Sequence, residues 1–166
     1  MQFPAAETTR ELTPGEQLMV WATRVWVTHF KQGKPPCAGF GRGFAAAGVP
    51  HAADNLDRLM HLVGRHAQRS IDIRCVHCRM LSDDESGWLH AIASLQRGDV
   101  GPARDTLSGY VEPSVLSAVC VIMAQIALAL ATVDLRLPLR PAPNTAEAPQ
   151  APSSSSCPDV GLSLVH

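Results

Sequence analysis

Apolar residues recur at intervals of three and four along most of this chain, and the runs open on polar caps or on proline. Thr13-Pro14-Gly15-Glu16 has the form of a capping box with proline at the first helical position, where its missing N–H costs nothing. A helix is predicted from there to about Gln32, burying Leu18, Trp21, Ala22 and Val25, with Trp26 at the edge of the stripe. Gly33-Lys34-Pro35-Pro36 ends it, and residues 37–49 predict one short helix between glycines. From Pro50 to about Gln68, Leu56, Leu59, Met60, Val63 and Ala67 share a helical face, while Arg58, His61 and Arg65 point outward. Arg69 to Arg74 instead alternates with period two, which predicts a short extended connector or strand.

A second capping box, Ser82-Asp83-Asp84-Glu85, opens a helix carrying Trp88, Leu89, Ile92 and Leu95, with Gly98 at its C′ position. Gly101-Pro102 starts another, with Ala103, Leu107, Tyr110 and Val111 inward, and Pro113 opens a last helix to about Val133. The pattern as a whole predicts an all-α fold: a compact bundle of about five substantial helices around a central apolar C-terminal helix. The domain is expected over 11–140, between a flexible segment 1–10 and a Pro/Ser/Ala-rich tail, 141–166. The tail has too little to bury to offset its ordering entropy and is expected to be disordered.

The last helix needs its own argument. No charge lies between Glu112 and Asp134, and at 1.5 Å per residue such a helix reaches roughly 30 Å, enough to cross a bilayer. A helix enclosed by its neighbours reads the same way. Abundant alanine, Gln125 in mid-span and the lack of an aromatic belt at both ends favour the enclosed reading. Burial inside the domain is therefore expected, with Ile122→Asp or Leu128→Asp abolishing folding, and membrane anchoring through 113–133 is the alternative.

Composition narrows the function classes. Hydrophobic residues are 46% of the chain and charged residues 17%, with a net charge of −1, so no general attraction to nucleic acid is indicated. Met1 to Glu16 contains no apolar run of the length a secretion signal needs, which makes a cytoplasmic location the expectation. The five cysteines are an odd count without framework spacing, and Cys120 lies in the most apolar stretch, as a small core residue would. No Gly-x-Ser-x-Gly, His-Glu-x-x-His or paired-carboxylate pattern points to an enzyme.

Chemistry concentrates in Arg74-Cys75-Val76-His77-Cys78-Arg79. Two cysteines at this spacing can turn both sulfurs toward one tetrahedral metal, and the flanking arginines favour thiolates. His66, near the edge of the core face, is the best placed third donor, so Cys75, Cys78 and His66 form a candidate zinc set. A fourth ligand would have to come from a second chain, a water or another residue. The same cysteines could be a redox dithiol ahead of a helix N-terminus, although Cys78 lies four residues before Ser82. They could also be two packed thiols. Asp83, Asp84 and Glu85 are read as carboxylates stabilised at a helix N-terminus, and Arg58, His61, Arg65 and Arg69 as a solvated basic stripe.

The stretch Cys78-Arg79-Met80-Leu81-Ser82-Asp83-Asp84-Glu85 resembles the hallmark of a family of small uncharacterised alphaproteobacterial proteins, in which cysteines precede Arg-Met-Thr-x-Asp-Glu and an apolar helix. The resemblance runs more loosely over residues 17–139 and includes Ala124-Gln125. This chain differs in spacing its cysteines as Cys-x-x-Cys, in the extra Leu81 and in Ser82 for threonine. The resemblance implies the helical fold and no particular activity. The expected function is a helical protein-interaction domain, through a protein partner or self-association, with a metal at the cysteine pair as a possible stabiliser. A thiol redox protein and a small membrane-anchored factor are the alternatives.

Overall fold

The computed structural model describes residues 8–35 and 38–139, and the expected tail at 141–166, with Cys37 and Cys157, lies outside them. Six α-helices follow in order: α1 (Pro14–Lys31), α2 (Ala38–Ala46), α3 (His51–His66), α4 (Asp83–Gln96), α5 (Val100–Ser108) and α6 (Pro113–Thr132). A single 3-10 turn, Thr9–Glu11, precedes α1. Both capping boxes form: the Thr13 and Ser82 hydroxyls accept from the N–H of Glu16 and Glu85, whose carboxylates accept from the cap N–H groups. Gly98 adopts φ +82 after α4, the left-handed conformation that glycine reaches without a Cβ clash.

The helices α3, α4 and α5 pack on one side of α6, while α2 bridges α1 and α3. One core, mostly Leu, Val, Ile, Met and Ala with Phe40 and Phe44 from α2, runs through all six, with Met19, Leu56, Ile92, Leu107, Met123 and Leu130 fully enclosed. Segment 69–74 buries Ile71 and Ile73 and forms no strand. The described residues hold only the isolated antiparallel bridges Thr8–Met80 and Ala67–Val111.

Two expectations are corrected here. Trp26 is the buried tryptophan of α1, whereas Trp21 is only partly covered, because the stripe facing α3 runs through Val25 and Trp26. More consequentially, α6 is not enclosed on every side. Leu116, Val119, Cys120, Met123, Ile126, Ala127 and Leu130 are buried, but Val121 is 57% and Leu128 60% exposed. An acidic residue at Leu128 would face water, so it does not carry the folding penalty expected for it. Ile122, at the boundary, is partly buried.

The segment after α6 turns back through Asp134, whose φ is +60, and lays Leu137 into the core. Gln96, at the end of α4, fastens it: its amide donates to the Leu135 carbonyl (2.9 Å) and its Oε1 accepts from Leu137 N–H (2.8 Å). A Cβ on Gly15 would stand 3.1 Å from the Leu135 carbonyl oxygen, so α1 begins directly against this returning strap.

Candidate functional site

Arg24 lies mid-helix in α1 and is only 2% exposed. Its guanidinium makes a bidentate pair with Glu85, Nε donating to Oε1 at 2.6 Å and Nη2 to Oε2 at 2.8 Å. The remaining donors reach across to the chain before α4, Nη1 to the Cys78 carbonyl (2.6 Å) and Nη2 to the Met80 carbonyl (2.9 Å). Glu85 also accepts from the N–H of Ser82 (3.0 Å) and Arg74 (3.3 Å). A buried charge is tolerable only when paired and fully hydrogen-bonded, and this network meets that condition while holding the cysteine-bearing turn against α1.

A second clamp fixes the other end of the turn. Arg69 donates to both carboxylate oxygens of Asp84 (2.6 and 3.0 Å), and Asp84 also accepts from the Asp72 N–H (2.6 Å). The Arg69 guanidinium lies 4.8 Å from the Tyr110 ring centroid. Hydrogen bonding to Asp84 raises the Arg69 pKa above its ordinary value, and burial, with Asp84 nearby, pushes the Tyr110 phenol up to about 12. The stabilised carboxylates read at the N-terminus of α4 therefore do more than answer the helix dipole. Asp84 and Glu85 are the fixed points of residues 69–82. Arg69 serves that clamp rather than a continuous basic stripe.

Between these anchors Cys75 to Arg79 stands out as a tight turn, closed by a 3.0 Å hydrogen bond from the Cys78 N–H to the Cys75 carbonyl. The N-terminal segment runs beside it, with Thr9 N–H donating to the Arg79 carbonyl at 2.8 Å. The two segments and the first half of α1 enclose an open cleft of about 370 Å³, within the size range of ligand pockets. Leu12, Val20 and Trp21 give it an apolar floor, and Arg10, His77 and Arg79 line it as well. Among the described residues no Asp or Glu lines it, and none of these three side chains has an acidic partner. The Trp21 ring rests on α2, where a Cβ on Gly43 would fall 2.6 and 2.8 Å from its ring carbons.

The three residues expected to share a metal part company in this geometry. Cys78 is half-buried and lines the cleft, Cys75 is exposed, and both are free thiols. His66 ends α3, where its Nδ1 lies 3.3 Å from Glu112 Oε2 and its carbonyl accepts from the Glu112 N–H at 3.0 Å. Helix α3 thus delivers His66 to the start of α6 rather than to the cysteine turn. Among the described residues no three His, Cys, Asp or Glu side chains gather as a metal centre would require.

The cleft itself was missed by sequence reasoning, because its walls come from segments far apart in the chain. One signal was available. Arg24 falls at helical spacing between Val20 and Val27, both buried, and a charge on an apolar face calls for a buried acidic partner. Comparison with protein-family models, curated proteins and solved structures gives no match, so the functional reading rests on this geometry.

Proposed function

We propose that the protein is a helical binding module that takes an acidic segment of a partner protein in the cleft between the 3-10 turn, α1 and the Cys75–Cys78 turn. The observation that carries this reading is the union of Arg10, His77 and Arg79 with an indole floor, in a cleft whose described lining residues include no carboxylate. Exposed guanidinium groups without acidic partners suit carboxylates, which they bind through two parallel N–H···O bonds. Trp21 offers a flat face to one apolar side chain beside the acidic group. The cleft is open at its rim, which suits an extended segment. Two exposed guanidinium groups and one imidazole on a chain of net charge −1 are a local recognition patch and not a nucleic-acid footprint. The cysteine turn shapes one wall, and the thiols themselves need not react.

Titration with short peptides by calorimetry tests the reading. Peptides pairing Asp or Glu with one Leu or Phe are expected to bind, and to bind more weakly as salt rises. Arg79→Glu should weaken that binding at least about tenfold, since hydrogen bonds to charged groups contribute about 1.5–3 kcal/mol each. Acidic peptides that bind no better than their amide counterparts, or binding untouched by Arg79→Glu and Arg10→Glu, would sink the proposal.

A further inference from the structure

The strap after α6 leads the chain to the start of α1, where the cleft also begins. A Cβ on Gly15 would stand 3.1 Å from the Leu135 carbonyl oxygen and 3.1 Å from the Leu137 side chain. Leu12 and Gln17, before and after Gly15 in the sequence, line the cleft. Strap and cleft thus share the first turn of one helix, whose diameter is about 10–12 Å. The described chain stops two residues beyond Leu137, at the exposed Leu139.

The sequence that follows is complementary to the cleft in charge. Residues 141–166 carry Glu147 and Asp159 and neither Lys nor Arg. The cleft presents Arg10, His77 and Arg79, and the exposed Glu11 beside Arg10 in the chain does not line it. The two acids keep different company. Glu147 stands between Ala146 and Ala148, whereas Asp159 is followed by Val160 and Leu162. A carboxylate beside an aliphatic side chain is what guanidinium groups over an indole floor accommodate. We infer that the chain's own segment around Asp159 occupies the cleft in the free protein, so that a partner's acidic segment must displace it. The inference rests on the reading of the cleft as a site for acidic peptides and names its resident competitor.

Reach and tethering both permit this. Asp159 follows Leu139 by 20 residues, and a chain extends up to about 3.3 Å per residue, so the way around α1 is spanned with length to spare. Tethering makes docking intramolecular, at an effective concentration of about a millimolar. A segment whose own dissociation constant is about 0.1 mM then fills the cleft most of the time and weakens a competing peptide about tenfold. Only the few residues in the cleft have to be ordered, which keeps the entropy cost small.

The test is calorimetric titration of the full chain with a short peptide that pairs Asp with one Leu. Asp159→Lys is expected to tighten binding about tenfold, by emptying the cleft. Glu147→Lys makes the same change of charge and should leave the affinity near the parental value, as should Glu7→Lys. A synthetic peptide of residues 156–164 is expected to bind the Asp159→Lys chain and to lose that binding when Arg79→Glu is added. Equal affinity of the parent and the Asp159→Lys chain overturns the inference and leaves the cleft reading standing. Glu147→Lys or Glu7→Lys matching Asp159→Lys overturns it as well, by assigning the effect to bulk charge or to the N-terminal segment. So does a parental affinity that falls as the chain is concentrated, the mark of a segment supplied by a second copy. If no chain binds either peptide, this inference and the cleft reading fall together.

Discussion

The Arg24–Glu85 pair shows how much one side chain organises. With Arg24 Nε and Glu85 Oε1 at 2.6 Å and both residues at most 3% exposed, removing either charge leaves the other without compensation. Glu85→Gln is expected to cost about 3–5 kcal/mol in urea unfolding. Replacing both residues by methionine should recover much of that loss, because an apolar pair of similar volume carries no desolvation cost. The recovered fold would still lack the donors to the Cys78 and Met80 carbonyls. Faster amide exchange around the cysteine turn, with stability near that of the parent, is the expected signature. Tyr110 gives a second prediction, and as the chain's one tyrosine its phenolate absorbance reports it alone. Its folded pKa is raised from 10.0 to about 12, so the native state keeps a proton that the unfolded chain releases. The stabilisation is complete below pH 10 and is lost as pH rises toward 12, by about 2–3 kcal/mol. Unfolding midpoints at pH 8 and pH 12 should diverge in the parent, and Tyr110→Phe should remove that contribution.

At the scale of elements, close approach and facial burial decide which substitutions matter. Gly43 lets α2 lie against Trp21, and a methyl group there would overlap the indole ring. Gly43→Ala is expected to shift Trp21 within the cleft, seen as a changed tryptophan emission, and to weaken peptide binding more than it lowers the melting temperature. Helix α6 offers a contrast within one element. Met123→Asp puts a carboxylate at a fully enclosed position and should prevent folding, since an unpaired buried charge costs several kcal/mol, while Leu128→Asp leaves the helical spectrum intact. Both positions are apolar, but the four polar residues of α6, Ser114, Ser117, Gln125 and Thr132, are all exposed and mark the Leu128 side. The packing of α3, α4 and α5 covers the opposite side, whose buried residues are all apolar.

On the scale of the whole molecule, the strap from Val133 to Leu139 closes the bundle. Leu137 is 1% exposed, its backbone is held by Gln96, and its carbonyl accepts from Arg97 at 3.1 Å. A chain ending at Thr132 is expected to melt well below the parent, since it loses a buried leucine and leaves the Gln96 and Arg97 donors without the Leu135 and Leu137 carbonyls. Gln96→Ala should reproduce part of that loss. Thermal melts of the two variants beside the parent check both expectations.

What could be read from the sequence is what depends on neighbours in the chain. The two capping boxes, the proline at the start of α6, the glycine after α4 and the order of six helices are set by residues three or four apart, and all are present in the structure. What tertiary structure decided joins residues with no local signal of each other. Packing sent His66 to Glu112 instead of the cysteines. It brought Glu85 to Arg24, and it set Arg10, Arg79 and Trp21 around one cleft. Such pairings depend on how helices fill space together, which their separate periodicities do not encode.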